Sequence, residues 1–166
     1  MNRKSKVNIF ALVFAGVLFG SLIVSGAAFY FYKYHCRQIF YFESYDSSRI
    51  CTESHLLGFI RTCTETRYSE KKDGDEEIRA FVDDLLLGPM TNRFKFLFSP
   101  GTRTEFCFSN GKELYVGLSK QALFVDSETF NMRKNVSLLR KNIVKNFTNI
   151  NKIYIYIDGK PVFAEK

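Results

Sequence analysis

The sequence predicts an α+β domain: a mixed sheet of about five strands with two helices packed on it, preceded by one transmembrane helix. Three observations carry that expectation. Ile78–Leu86 and Met132–Phe147 both place apolar residues at helical spacing. Short runs of aromatic and β-branched residues, bounded by Gly, Pro and Asn, surround them. Val7–Tyr32 is an uncharged run of 26 residues, longer than the roughly 20 that a hydrocarbon core requires.

Length and charge frame the rest. At 166 residues, one domain plus an anchor is expected. The formal charge is +7, from 24 Lys and Arg against 17 Asp and Glu. Five of those cations (Arg3, Lys4, Lys6, Lys33, Arg37) flank the apolar run, leaving 19 cations against 17 acids from Gln38 onward. The basic balance is therefore largely a flanking effect and does not point to nucleic acid. Eighteen Phe and no Trp give an aromatic, strand-rich character.

Residues 1–6 read as a short basic cytoplasmic N-terminus and 7–32 as the anchor. Tyr30, Tyr32 and Tyr34 stand at its far end, as interfacial aromatics do. The rival reading is a cleaved signal peptide, with Ser25 and Ala27 at the −3 and −1 positions. Lys33, Tyr34 and His35 precede Cys36, a context wrong for lipidation. Keeping the basic N-terminus inside places residues 38–166 outside the cytoplasm.

Gln38–Glu43 and Leu56–Thr66 are expected as the first two strands, with Arg67–Gly74 charged and exposed. The first helix follows, with Ile78, Phe81, Val82, Leu85 and Leu86 on its apolar face. Asp73 with Glu76 is its expected cap, and Gly88-Pro89 its stop. Thr91–Gly101 is irregular, ending in the turn residues Ser99-Pro100-Gly101. Thr102–Phe108 and Glu113–Leu118 form the clearest hairpin, with Asn110-Gly111 expected as a type I′ connection. Asn131–Phe147 is the second helix, capped by Asn131 or Thr129. Lys152–Ile157 is the closing strand, ended by Asp158-Gly159, with Pro161–Phe163 as a brief edge. The expected order is β-β-α-β-β-α-β.

Few residues are arranged for chemistry. His35 and His55 are the only histidines, and Cys36, Cys51, Cys63 and Cys107 lack the paired short spacings of a metal site. No metal or cofactor is expected. A Cys51–Cys63 disulfide fits an extracytoplasmic domain, and Cys107, between Phe106 and Phe108, fits an inert buried thiol. No Ser or Cys sits in a nucleophile elbow. Asp83 and Asp84 are adjacent on a helix, about 100° apart, so they cannot share a substrate atom as a dyad. A solvated face explains them, and Asp126 and Glu128 belong to the loop and cap before the second helix.

The last third is the exception. From Phe130 to Lys166, eight cations face two acids. Arg133, Arg140, Lys141 and Lys145 on the second helix are expected either as a solvated face or as a surface for an anionic partner: lipid head groups, a wall polymer or an acidic protein. Asn135-Val-Ser137 and Asn146-Phe-Thr148 match glycosylation sequons that fall inside that helix.

Five segments in order carry a family resemblance: LLLGP (85–89), LFSPGTR (97–103), LYVGLS (114–119), the helix, and IYIDGKPV (155–162). Together they resemble the GerMN domain, named for the sporulation and spore germination protein GerM, over about residues 38–164. One departure is Gly117, where the family usually has Asp. The resemblance implies a bacterial cell-envelope protein with no established catalytic residues, and makes self-association or scaffolding plausible. The expected function is thus a non-enzymatic, membrane-anchored module facing the periplasm or another extracytoplasmic space. Its expected partners are the cytoplasmic membrane through Val7–Tyr32, an envelope protein or cell-wall polymer such as peptidoglycan, and a homo-oligomer. Two alternatives are an accessory or sensor subunit of a signalling or secretion complex, whose anchor helix contacts a partner, and a wall-glycan enzyme. The enzyme would need two carboxylates across a cleft, for which only Asp83, Asp84 and Asp126 offer themselves.

Overall fold

The computed structural model describes residues 3–45, 55–57, 60–124 and 131–163. Cys51, Asp126, Glu128 and Thr129 lie outside the described residues. Two compact units result: Met1–Cys36 with Ser69–Lys71, and Arg37–Tyr68 with Lys72–Lys166.

In the first unit, α1 runs from Arg3 to Tyr34. Its segment Leu12–Tyr34, 23 residues containing an 18-residue window of mean hydropathy 2.2, is long and apolar enough to cross a membrane. His35 stacks on Phe31 with ring centroids 4.5 Å apart. The Lys71 amide donates to the Tyr34 carbonyl at 2.8 Å, satisfying one of the acceptors that a helix end leaves open.

The second unit is α+β, as expected, but its strands form two sheets. β1 (His35–Glu43), β2 (His55–Leu57) and β3 (Ile60–Glu70) make one, in the order β1-β3-β2. β4 (Thr104–Asn110), β5 (Glu113–Leu118), β6 (Lys152–Ile157) and β7 (Lys160–Val162) make the other, in chain order. β5 and β6 are parallel, so this sheet is mixed. A 3-10 turn (Lys120–Leu123) and α3 (Met132–Asn146) lie on the connection between them.

One sheet was expected; two form because the outer edge of β1 is already occupied. Asn142 and Asn146 of α3 bond both the N–H and the C=O of Tyr41 and Ile39. Farther along, the Lys95 amide donates to Glu43 O and the Tyr45 amide to Arg93 O. A strand edge so paired cannot accept β4. The expected second strand is also split: β2 and β3 pair antiparallel, Leu57 opposite Ile60.

α2 (Asp75–Leu86) buries all five expected residues, Ile78, Phe81, Val82, Leu85 and Leu86. Its expected Asp73 cap is not formed. The N-cap is Gly74, at φ +57°, and Asp75 instead accepts from the Ser109 amide (3.1 Å) and hydroxyl (2.5 Å), tying the helix start to β4. Gly88 takes φ +92° as the stop signal requires, and a Cβ there would lie 2.2 Å from the Phe96 ring. Phe81 stacks on Phe40 (4.7 Å) and meets Phe147 edge-on (5.4 Å), linking both helices to β1.

The hairpin forms one residue away from the expected turn. Asn110 pairs with Glu113, so Gly111 and Lys112 are the central residues, and of these Gly111 alone has positive φ, +63°. That is the glycine-first pattern of a type II′ connection rather than type I′. Asp158 and Gly159, at φ +52° and +71°, do form the primed turn between β6 and β7.

Candidate binding surface

α3 begins as the sequence predicts: Asn131 Oδ1 accepts from the Lys134 amide at 3.1 Å. The helix buries Val136, Leu138, Leu139 and Ile143, but also Lys141 and Asn142. The four cations expected on one surface therefore have different fates. Arg133 and Lys145 are exposed. The Arg133 guanidinium lies over the Phe163 ring at 4.9 Å. Arg140 is half-buried, and its Nη2 donates to the Phe163 carbonyl at 2.6 Å. Lys141 turns inward, where Nζ donates to Thr62 Oγ1 at 2.9 Å and sits 4.7 Å from the Tyr41 ring centre. Burial lowers the Lys141 pKa from its ordinary value, and the charge of Lys145 adds to that shift. Lys134 is tied to Glu43 Oε2 at 2.5 Å, while Lys95 holds Oε1 at 3.1 Å. Burial raises the Glu43 pKa, but the two lysines together outweigh it and the net shift is downward. The outward side of α3 is thus basic, carried by Arg133, Lys145 and part of Arg140.

Two clusters were not foreseen. The first is the Asn142/Asn146 pair. Spaced four residues apart, the two amides face β1 together and imitate a neighbouring strand. A pair of Asn on an otherwise apolar helical stripe is the one signal that could have found it. Since the Asn146 amide is committed to Ile39 and to the Asn142 carbonyl, its sequon is structural here. The second is Arg67, expected in an exposed stretch but only 13% exposed at its side chain. It donates to Glu65 (2.7 Å), to the Asp84 carbonyl (2.9 Å) and to the Gly88 carbonyl (2.7 Å), and lies 4.4 Å over the Phe40 ring. A guanidinium at a helix C-terminus answers both the open carbonyls and the negative end of the dipole. Glu65 then accepts from the Met90 amide at 3.1 Å, so one pair fixes the whole LGP corner.

Three other motif segments meet at the carboxyl ends of β5 and β6. Ser99 O accepts from the Thr102 amide and hydroxyl (3.1 and 2.7 Å). Ser119 and Arg103 exchange bonds at 2.9 and 3.0 Å, and the Asp158 amide donates to Leu118 O at 3.1 Å. Ligands of open sheets with parallel strands gather at such ends. Here the polar groups bond one another, so the motifs act as a clasp.

At the Gly117 position a Cβ would come within 2.2 Å of the Phe106 ring, which lies across from it in register. Asp83 is exposed and Asp84 half-buried, with no third carboxylate beside them on α2's last turn. Among the described residues no cluster of three His, Cys, Asp or Glu could hold a metal. Cys63 is disulfide-bonded, whereas Cys36 and Cys107 remain thiols. Burial, with smaller contributions from Asp75 and Asp83, pushes the Cys107 thiol up to about 12, far from thiolate reactivity.

Against known proteins, a family described as "Germane: Sporulation and spore germination" matches residues 40–163. An uncharacterized lipoprotein of Treponema pallidum (strain Nichols) is 29% identical over 86 residues. The match spans 52% of this chain and 64% of that protein, less than two thirds of it. Among solved structures, a candidate lipoprotein from Clostridium perfringens is similar at TM-score 0.47 and 16% identity, over 78% of this chain and 79% of that one. The first GerMN domain of the sporulation protein GerM from Bacillus subtilis is similar at TM-score 0.49 and 12% identity, over 75% and 85% of the two chains.

Proposed function

Because this chain belongs to the Germane family, the family of sporulation and spore germination, we propose that it is a non-enzymatic envelope module, anchored by α1 and built to bind or scaffold. The observation that carries the reading is the family match over residues 40–163 in a chain whose Leu12–Tyr34 segment could span a bilayer. The Treponema relative is named a lipoprotein. In this chain α1 takes the anchoring role, since Cys36 lacks a lipidation context. Arg3, Lys4 and Lys6 hold the N-terminus on the cytoplasmic side, and residues 38–166 face outward. The disulfide at Cys63, with Cys51 as its partner in this proposal, supports an oxidising compartment.

Binding falls to the outward side of α3, where Arg133 and Lys145 are exposed. The test uses the full chain in detergent, sedimented with insoluble peptidoglycan at low and high salt, beside crosslinking in intact envelopes. Co-sedimentation that salt weakens, or a crosslinked partner that Arg133→Glu with Lys145→Glu reduces, is the expected result. A chain that neither sediments with wall nor crosslinks to any protein, itself included, overturns the proposal.

A further inference from the structure

α2 and α3 carry opposite charge in the same pattern. α2 holds five acids and one cation; α3 holds five cations and no acid. On α2 the acids include two doublets, Glu76-Glu77 and Asp83-Asp84. On α3 the cations include two doublets, Arg133-Lys134 and Arg140-Lys141. Both pairs of doublets repeat after seven residues, close to two turns, so each helix shows its pair on one side. The first member of each doublet is the outer one. Glu76, Asp83 and Arg133 are exposed and Arg140 is partly so, while Glu77 and Asp84 are half-buried, Lys134 bonds Glu43 and Lys141 is buried. Four residues past the second doublet's outer member an apolar side chain is exposed in each case: Leu87, one residue past the end of α2, at 76%, and Val144, within α3, at 44%.

We propose that a second copy of this chain docks by laying α2 along α3 of its neighbour, with Glu76 opposite Arg133, Asp83 opposite Arg140 and Leu87 beside Val144. The inference rests on the binding-module reading and names its partner. Helices of 12 and 15 residues are about 18 and 22 Å long, so the charged rows match in extent. The Arg133 guanidinium can present two parallel N–H groups to a carboxylate, which fixes register as well as attraction, while Arg140 adds positive charge beside its bond to Phe163. The contacting surfaces differ, so each copy has one of each to offer, and repeated docking gives a ring if the rotation closes and a filament if it does not.

The test is the solution mass of the full chain in detergent across protein and salt concentration. The expected result is association that high salt weakens by at least about tenfold. Glu76→Arg with Asp83→Arg weakens it by about tenfold or more, and so does Arg133→Glu with Arg140→Glu. Mixing the two variants restores association, because each then presents what the other lacks. Arg140 also bonds Phe163, so the α2 variant tests docking without disturbing that contact. A wild-type chain that is monomeric at low salt overturns the inference, as does association through α1 that neither salt nor charge reversal moves. A monomer that still sediments with peptidoglycan, or crosslinks to another envelope protein, overturns self-docking while leaving the binding module standing.

Discussion

α2 and α3 are both amphipathic, yet their inner faces are held to the domain by different forces. The buried face of α2 consists of Ile78, Phe81, Val82, Leu85 and Leu86 alone. α3 buries an amide and an ammonium among its apolar residues, and its amides bond β1 at distances of 2.7–2.9 Å. The difference teaches that helical periodicity locates a buried face without saying what work that face does. An apolar face tolerates sliding, because dispersion and water exclusion are weakly directional. A face that imitates a β-strand admits one register only, because each amide must meet both an N–H and a C=O.

That contrast can be broken in four ways. The largest expected effect is at α2. Phe81→Ala removes a fully buried ring between Phe40 and Phe147, and should cost about 3–5 kcal/mol in urea unfolding. Next is Asn142→Leu. If apolar burial were all that held α3, leucine would be accepted there. We expect instead a loss of about 2–4 kcal/mol, because the buried Tyr41 N–H and C=O each lose a partner. A loss under about 0.5 kcal/mol would erase the distinction between the helices.

The third effect is the acid limb of stability. The folded Glu43 pKa lies below its ordinary value of 4.5. Its contribution is therefore present above the unfolded pKa and is lost as pH falls through the folded one. Glu43→Gln should flatten stability against pH below about 4.5, measured by thermal melting. Smallest is Lys141→Met, which removes a desolvated ammonium and keeps the stem's packing. Stability at neutral pH should change by no more than about 1 kcal/mol. For Lys141 the folded pKa is lowered below 10.5, so the native state holds its proton less tightly than the unfolded chain. Stability should rise with pH between the folded and unfolded pKa values in the wild type, and lose that rise in the variant.

Much of the fold was legible because it is written in local pattern. The α2 stripe, the Gly88 stop, the Asn131 cap and the Asp158-Gly159 turn each depend on residues within a few positions of one another. Apart from the Asp73 cap and the one-residue shift of the hairpin turn, what escaped depends on distant partners. Asn142 and Tyr41 are 101 positions apart, and no periodicity announces that a side-chain amide will stand in for a strand. The single expected sheet became two for that reason. Arg67 was misplaced because a charge in a polar stretch reads as solvated, and the carbonyls that claim it belong to a helix end some 20 residues onward. Likewise, the even row of cations expected on α3 divides into inward and outward members only once Thr62 and Glu43 are in position. The family, by contrast, was legible, since its motifs are short and retain their order.

The Phe106 ring fills the space that any side chain at position 117 would need. The two positions are therefore sterically coupled. Exchanging Gly117 for aspartate in a single step would pass through a chain with two groups in one volume, whereas losing the ring first would leave bare backbone beneath an open sheet face. Either order crosses a less stable intermediate, so residues 106 and 117 should change together among relatives of this chain, and a phenylalanine at the first should foretell a glycine at the second.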